Sequence, residues 1–135
     1  MIVVDASVAL AWCLGDEQDD LAERVLKRVA ADGAAAPAHW PMEVANGLWA
    51  AERRGRIDRA DADRARRLLV DVGVEIVPVE LATAAGVVLD TARELRLSVY
   101  DATYLDLARF RGVPLATLDA DLAGACRTVG VALAT

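Results

Sequence analysis

Four carboxylates in this 135-residue chain, Asp5, Glu43, Asp101 and Asp119, stand where divalent-ion or phosphate chemistry could use them. Asp5 ends the apolar run Ile2-Val3-Val4, and Asp119 follows a second short run, Pro114 to Leu118. Glu43 and Asp101 fall in the first turns of two expected helices, where acids are favoured by unpaired N–H groups and the helix dipole. In a parallel α/β fold the carboxyl ends of strands and the N-termini of the following helices lie on one rim. All four acids can therefore converge, joined by Asp121 and the hydroxyls of Ser7 and Thr117. Like charges packed this closely persist only with a cation or by taking up protons. Oxygen ligands without His or thiolate select hard ions such as Mg²⁺ or Mn²⁺. Taken singly, Asp101 is a helix-start residue, Glu43 a first-turn acid and Asp119 a turn former. Asp5 is harder to dismiss, because a buried Val-rich strand rarely ends on a charge without a purpose. The conjunction of the four carries the weight.

The elements that must position these acids alternate along the chain. Ile2-Val3-Val4 has no polar alternation, as in a central strand of a parallel sheet. Ala6 to Leu14 is predicted as a short helix, and Gly15-Asp16-Glu17 as punctuation before a second helix that runs to about Ala31. Ala34 to Ala38 is a strand by alternation, although it is mostly Ala. Trp40-Pro41 opens a helix running to Gly55, with Pro tolerated in the first turn. Asp58 caps the next helix, and Val74 to Val79 is a strand. Leu81 to Leu95 carries an apolar stripe along one long helix. Ser98-x-x-Asp101 opens the helix from Tyr100 to about Phe110. Pro114 to Leu118 is a short strand, Asp121 to Arg127 a short helix, and Val129 to Leu133 a final edge strand. Strands alternating with helices imply a mostly parallel sheet covered on both faces.

Length fits one domain spanning residues 1–135, and the 56% apolar content, rich in Ala, favours helices packed through small side chains. No apolar run is long enough to span a membrane and no signal segment is evident, so a cytoplasmic location is expected. Cys13 and Cys126 lie far apart without metal-ligand spacing, which leaves them as plain buried thiols. The formal charge of −6 argues by itself against nucleic acid. Between Arg53 and Arg67, however, seven arginines face three aspartates, a locally basic stretch. His39 is the only histidine and is placed as a boundary residue before Trp40. Trp12, Trp40 and Trp49 are assigned to the core or to contacts between copies.

I-V-V-D-A-S-V-A-L at the N-terminus, E-V-A-N-G-L at Glu43, Y-D-A-T-Y-L-D-L-A at Asp101 and T-L-D-A-D-L at Asp119 together resemble the PIN domain, in particular VapC-type toxins of bacterial toxin–antitoxin pairs. The resemblance covers essentially the whole chain, with the motifs in the family's order. It implies a three-layer α/β/α sandwich with a short, mainly parallel sheet and a Mg²⁺- or Mn²⁺-dependent endoribonuclease. It also implies a homodimer and an antitoxin that blocks the site. Carried over by position, the metal-binding acids are Asp5, Glu43, Asp101 and Asp119, with Asp121 a more variable fifth. Ser7 and Thr117 are hydroxyl partners, and Asn46, one turn after Glu43, is a supporting polar position. The basic stretch beginning at Arg53, Arg54 and Arg56 becomes the candidate RNA track, its alternative being a solvated helix face. Metal-activated water would cleave the phosphodiester in line, leaving a 5′-phosphate and a 3′-hydroxyl.

Two other readings compete. A phosphoryl-transfer domain also puts Asp at the end of the first strand, but such domains usually need a lysine late in the chain and none follows Lys27. A PIN-like scaffold that binds RNA or protein without cutting is disfavoured by the intact acids.

Overall fold

A computed structural model describes residues 1–14 and 19–135, so the punctuation expected at Gly15-Asp16-Glu17 lies outside the described residues. Four strands form one parallel sheet in the order β3-β2-β1-β4. Central strand β1 (Ile2–Val4) pairs with β2 (Ala34–Pro37) on one side and β4 (Leu115–Ala116) on the other, with Val3 opposite Ala35 and Leu115. Ile2, Val3 and Val4 have no exposed surface, which is why their apolar run is unbroken. Outer strand β3 (Glu75–Val77) is shorter than the predicted Val74 to Val79 and mostly exposed, as an edge strand is.

Helices flank the sheet, giving the expected sandwich: α1 (Ala6–Cys13), α2 (Asp20–Asp32), α3 (Trp40–Arg53) and α4 (Arg59–Val72) precede β3. Asp58 caps α4 as predicted, in a reciprocal box with Asp61 (2.8 and 2.9 Å). The Ala strand β2 is fully buried, and helix α7 (Val99–Arg111) packs against both it and β1. Methyl side chains there let the helix lie close to the sheet. Where α1 meets α3, Gly47 faces Leu10, and a β-carbon at Gly47 would overlap the leucine methyls. At the far end of α7, Arg111 makes a two-pronged ion pair with Glu75 of β3 (2.7 and 2.9 Å).

Two expectations need correction. The long helix from Leu81 to Leu95 is three consecutive pieces: α5 (Leu81–Thr83), a π-helical turn (Ala84–Val88) and α6 (Leu89–Leu95). A π turn carries an extra residue and rotates whatever follows; the predicted stripe keeps Ala84, Val88, Leu89, Ala92 and Leu95 buried or half-buried but loses Leu81 and Ala85 to solvent. Leu81 is 81% exposed, whereas Val88 and Ala92 are buried. Beside this segment, Val77, Val87, Leu107 and Phe110 help line a cleft of about 660 Å³. The expected final strand, Val129 to Leu133, is reduced to one parallel bridge between Leu133 and Leu115. Helix α8 (Ala120–Val129) runs two residues further than predicted, and Gly130 ends it at φ 76°, leaving little chain to extend beside β4.

Candidate active site

Asp5 leaves β1 in extended conformation and caps α1, its Oδ1 accepting from the Val8 amide (3.2 Å) and the Ser7 hydroxyl (2.6 Å). Its Oδ2 accepts a short hydrogen bond from Thr117 Oγ1. Both hydroxyls are themselves fixed: Ser7 Oγ accepts from the Leu118 amide and Thr117 Oγ1 from the Asp119 amide, each at 2.9 Å. The ends of adjacent strands β1 and β4 are thereby stitched into one network. Asp5 is 5% exposed, and burial raises its pKa against the lowering pull of these donors.

Asp119 caps α8, its Oδ1 accepting from the Asp121 and Leu122 amides at 2.8 and 3.0 Å. Asp121 itself is exposed in the first turn. Asp101 sits in the first turn of α7, whose cap is Ser98, bonded to the Asp101 amide at 3.1 Å as the S-x-x-D spacing predicts. Burial and then the charges of Asp119, Asp5 and Glu43 push the Asp101 carboxyl up. The three acids that press on it are the other three picked out from sequence. The fold therefore brings Asp5, Glu43, Asp101 and Asp119 into one electrostatic neighbourhood.

Glu43, in the first turn of α3, has a surrounding the sequence did not disclose. Tyr104 donates to its Oε1 at 2.9 Å, and His39 Nε2 lies 3.0 Å from the same oxygen. His39 does occupy the boundary position before Trp40, as predicted, but it also packs edge-on against Tyr100 and Tyr104, with ring centroids 5.2 and 5.0 Å away. Burial pushes its imidazole pKa down, opposed by the Glu43 charge. Tyr104 is almost fully buried, and burial with the nearby acids keeps its phenol protonated. Two spacings carried the signal: His39 and Glu43 are four residues apart, and Tyr104 follows Asp101 by three, both same-face helix separations.

Asn46 is exposed and makes no hydrogen bond among the described residues. Arg53 and Arg54 are exposed at the end of α3, with the Arg53 guanidinium 5.4 Å from the centre of the Trp49 ring. Ten residues of α3 separate Arg53 from Glu43, about 15 Å along the helix axis. Arg56 helps line a separate cleft with Trp12, Cys13 and Arg64, and Arg64 pairs with Asp61. Trp40 is in the core, Trp12 is half-buried with Nε1 bonded to the Ala22 carbonyl (2.8 Å), and Trp49 is 53% exposed, outside the core placement. Cys126 is buried as expected. Cys13 is only half-buried, its thiol pushed up to about 11 by desolvation.

Among the described residues, no three His, Cys, Asp or Glu side chains form a ready-made metal cage. The chemistry of the donor set nonetheless suits a hard divalent cation: the donors are oxygens, one acid is deeply buried, and the negative charges strain against each other.

The sequence profile of the PIN domain matches residues 2–127. The chain is 33% identical over 129 residues to Ribonuclease VapC3 of Pyrobaculum aerophilum, covering 90% of this chain and 92% of that protein. It is 36% identical over 121 residues to Ribonuclease VapC9 of Mycobacterium tuberculosis, covering 88% and 86%. Among solved structures, PAE2754 from Pyrobaculum aerophilum is similar with a TM-score of 0.70 at 27% identity, over 92% of this chain and 78% of that one. A toxin–antitoxin complex from Klebsiella pneumoniae shares the fold, with a TM-score of 0.63 at 18% identity over 92% of each chain. With a profile match across nearly its full length and VapC relatives aligned over most of theirs, the chain belongs to the PIN domain family.

Proposed function

We propose that this chain is a Mg²⁺- or Mn²⁺-dependent endoribonuclease, the toxin of a toxin–antitoxin pair, acting in the cytoplasm as a homodimer that its antitoxin silences. The observation that carries the catalytic part is that Asp119, Asp5 and Glu43 all act against the charge of a half-buried Asp101. The relatives named as ribonucleases support the substrate, and the toxin–antitoxin neighbour supports the partner at the level of fold. Among the described residues, no helix is long and apolar enough to cross a membrane.

Asp5, Glu43, Asp101 and Asp119, with Asp121 beside them, would hold the cation, which when bound supplies positive charge for the scissile phosphate and acidifies a water. The chain's own groups prepare that role. Ser7 and Thr117 fix both oxygens of Asp5. The α8 amides orient Asp119 through Oδ1. Burial of Asp5 and Asp101 strengthens the pull on any cation that enters. The arginines at the end of α3 are a second, outlying contact for the phosphate backbone.

The deciding experiment incubates the purified chain with total bacterial RNA and Mg²⁺ or Mn²⁺, against EDTA, with Asp5→Asn alongside. Metal-dependent cutting at defined sites, lost with EDTA and in the variant, is the expected result. Cutting that survives EDTA would overturn the mechanism. The second reading, a silent PIN-like scaffold that binds RNA or protein, draws on the absence of a ready-made metal cage among the described residues. It predicts RNA or protein binding without cleavage under either metal.

A further inference from the structure

Tyr104 joins two of the acid-bearing helices. Its ring is 1% exposed in the core, its hydroxyl donates to Glu43 Oε1 at 2.9 Å, and it sits one turn along α7 from Asp101. A buried phenol needs a hydrogen-bond partner, and this one is taken 61 residues away on α3. His39 Nε2 lies 3.0 Å from the same oxygen without making a hydrogen bond to it, its imidazole packed edge-on against Tyr100 and Tyr104. One oxygen of Glu43 is thus held by the Tyr104 hydroxyl, and no protein group hydrogen-bonds the other among the described residues. Glu43 has a long side chain with a half-open surrounding. Without these contacts it would populate several rotamers, at an entropic cost to any ligand that needs one of them.

We propose that Tyr104 is a positioning residue: its hydroxyl fixes the Glu43 carboxylate through Oε1 and leaves Oε2 to contact a cation shared with the neighbouring acids. The proposal rests on the metal-site reading above. Outer groups of this kind typically set metal affinity by about 10–100-fold.

The test measures Mn²⁺ binding without RNA, by the loss of the free-ion electron paramagnetic resonance signal. Wild type, Tyr104→Phe, Glu43→Ala and the double variant would be compared, each checked for folding by circular dichroism and thermal melting. The expected result is Mn²⁺ binding weakened about 10–100-fold in Tyr104→Phe, with no further loss when the change is added to Glu43→Ala, as a double-mutant cycle requires of one pathway. A lowered melting temperature with Mn²⁺ affinity within twofold of wild type would make the hydrogen bond merely structural and overturn the proposal. So would equal losses in the presence and absence of Glu43. If wild type itself binds no Mn²⁺, the ion-site reading falls and this role falls with it, an outcome distinct from the other two. Should Tyr104→Phe not fold, His39→Ala removes the imidazole that packs against the Tyr104 ring and lies 3.0 Å from the same oxygen, and must weaken Mn²⁺ binding by at least about threefold, a lesser outer-shell effect.

Discussion

Helix α7 carries two half-buried carboxyls whose pKa values are both raised, and their causes differ. At Asp101, burial is joined by three acids from three other parts of the chain, Asp119, Asp5 and Glu43. At Asp106, five residues on, burial acts with Glu94 alone, opposed by the Thr91 hydroxyl (3.0 Å) and by Arg109 (3.7 Å), while Oδ2 is buried without a partner. Asp106 helps line the apolar cleft and has its counterion on its own helix. The charges that act on Asp101 among the described residues are all negative. Two acids raised in the same direction thus mean different things: one environment tends towards neutrality, the other has room for positive charge.

The largest test of that contrast is activity. Asp101→Asn or Asp5→Asn is expected to lower metal-supported RNA cleavage by about 1,000-fold or more, the scale of several kcal/mol of charge stabilisation. Asp106→Asn should stay within about threefold, since Asp106 lines the apolar cleft and its charge is countered by Arg109 rather than set against the four acids. Gel assays of the purified variants decide it, and an inactive, folded Asp106→Asn would erase the distinction.

Next comes the stability of each acid's hydroxyl support. Thr117→Val strips a buried donor from Asp5 and is expected to destabilise by about 1–3 kcal/mol in urea unfolding. Thr91→Val at Asp106 should cost less, about 1 kcal/mol, because Arg109 remains. A smaller effect should have the opposite sign. In metal-free protein near neutral pH, Asp101→Asn removes a repelled charge and should raise stability by about 0.5–1 kcal/mol. Mn²⁺ should then raise the melting temperature of wild type and leave that variant nearly unmoved. A destabilised Asp101→Asn would mean that the cluster is not under strain.

The smallest effect is the pH dependence at Asp106. A carboxyl raised in the folded state contributes stability that is fully present below its ordinary value and lost as pH rises through the raised one. Acidifying from neutrality towards the ordinary carboxylate range should therefore stabilise wild type relative to Asp106→Asn. After solvent screening the change is about a few tenths of a kcal/mol, readable from paired urea titrations. The reverse trend would show Arg109 holding the carboxyl ionised.

What was legible in the sequence followed from short-range chemistry. The unbroken Ile2-Val3-Val4 run identified the central strand, Ser98 and Asp58 announced their helices, and strand-end acids were placed by the topology of parallel sheets. Contacts between distant segments stayed hidden. Nothing local to Glu43 tells that a tyrosine 61 residues later will donate to it. Nor does composition show that β4 would be only two residues long, or that the Leu118 amide beyond it would bond the Ser7 hydroxyl. The stripe from Leu81 to Leu95 held from Val88 onward but lost Leu81 and Ala85, where a period of 3.6 was assumed through a turn that is wider. Trp49 is exposed, so of the two placements read for the tryptophans, core or contacts between copies, the core one does not apply to it.

Asp5 and Asp119 each close a helix start with one oxygen, whereas the start of α7 is closed by Ser98 and not by Asp101. The two roles have different histories ahead of them. A descendant of this chain that no longer needed the reaction would still be selected to keep Asp5 and Asp119, because losing a cap costs about 1 kcal/mol of fold stability. Asp101, which opposes its neighbours and caps nothing, would be free to drift and would relieve repulsion when it did. In a lineage built on this architecture, retention of the strand-end aspartates reports folding. The first-turn aspartate of α7 is the position whose loss would mark retirement from chemistry.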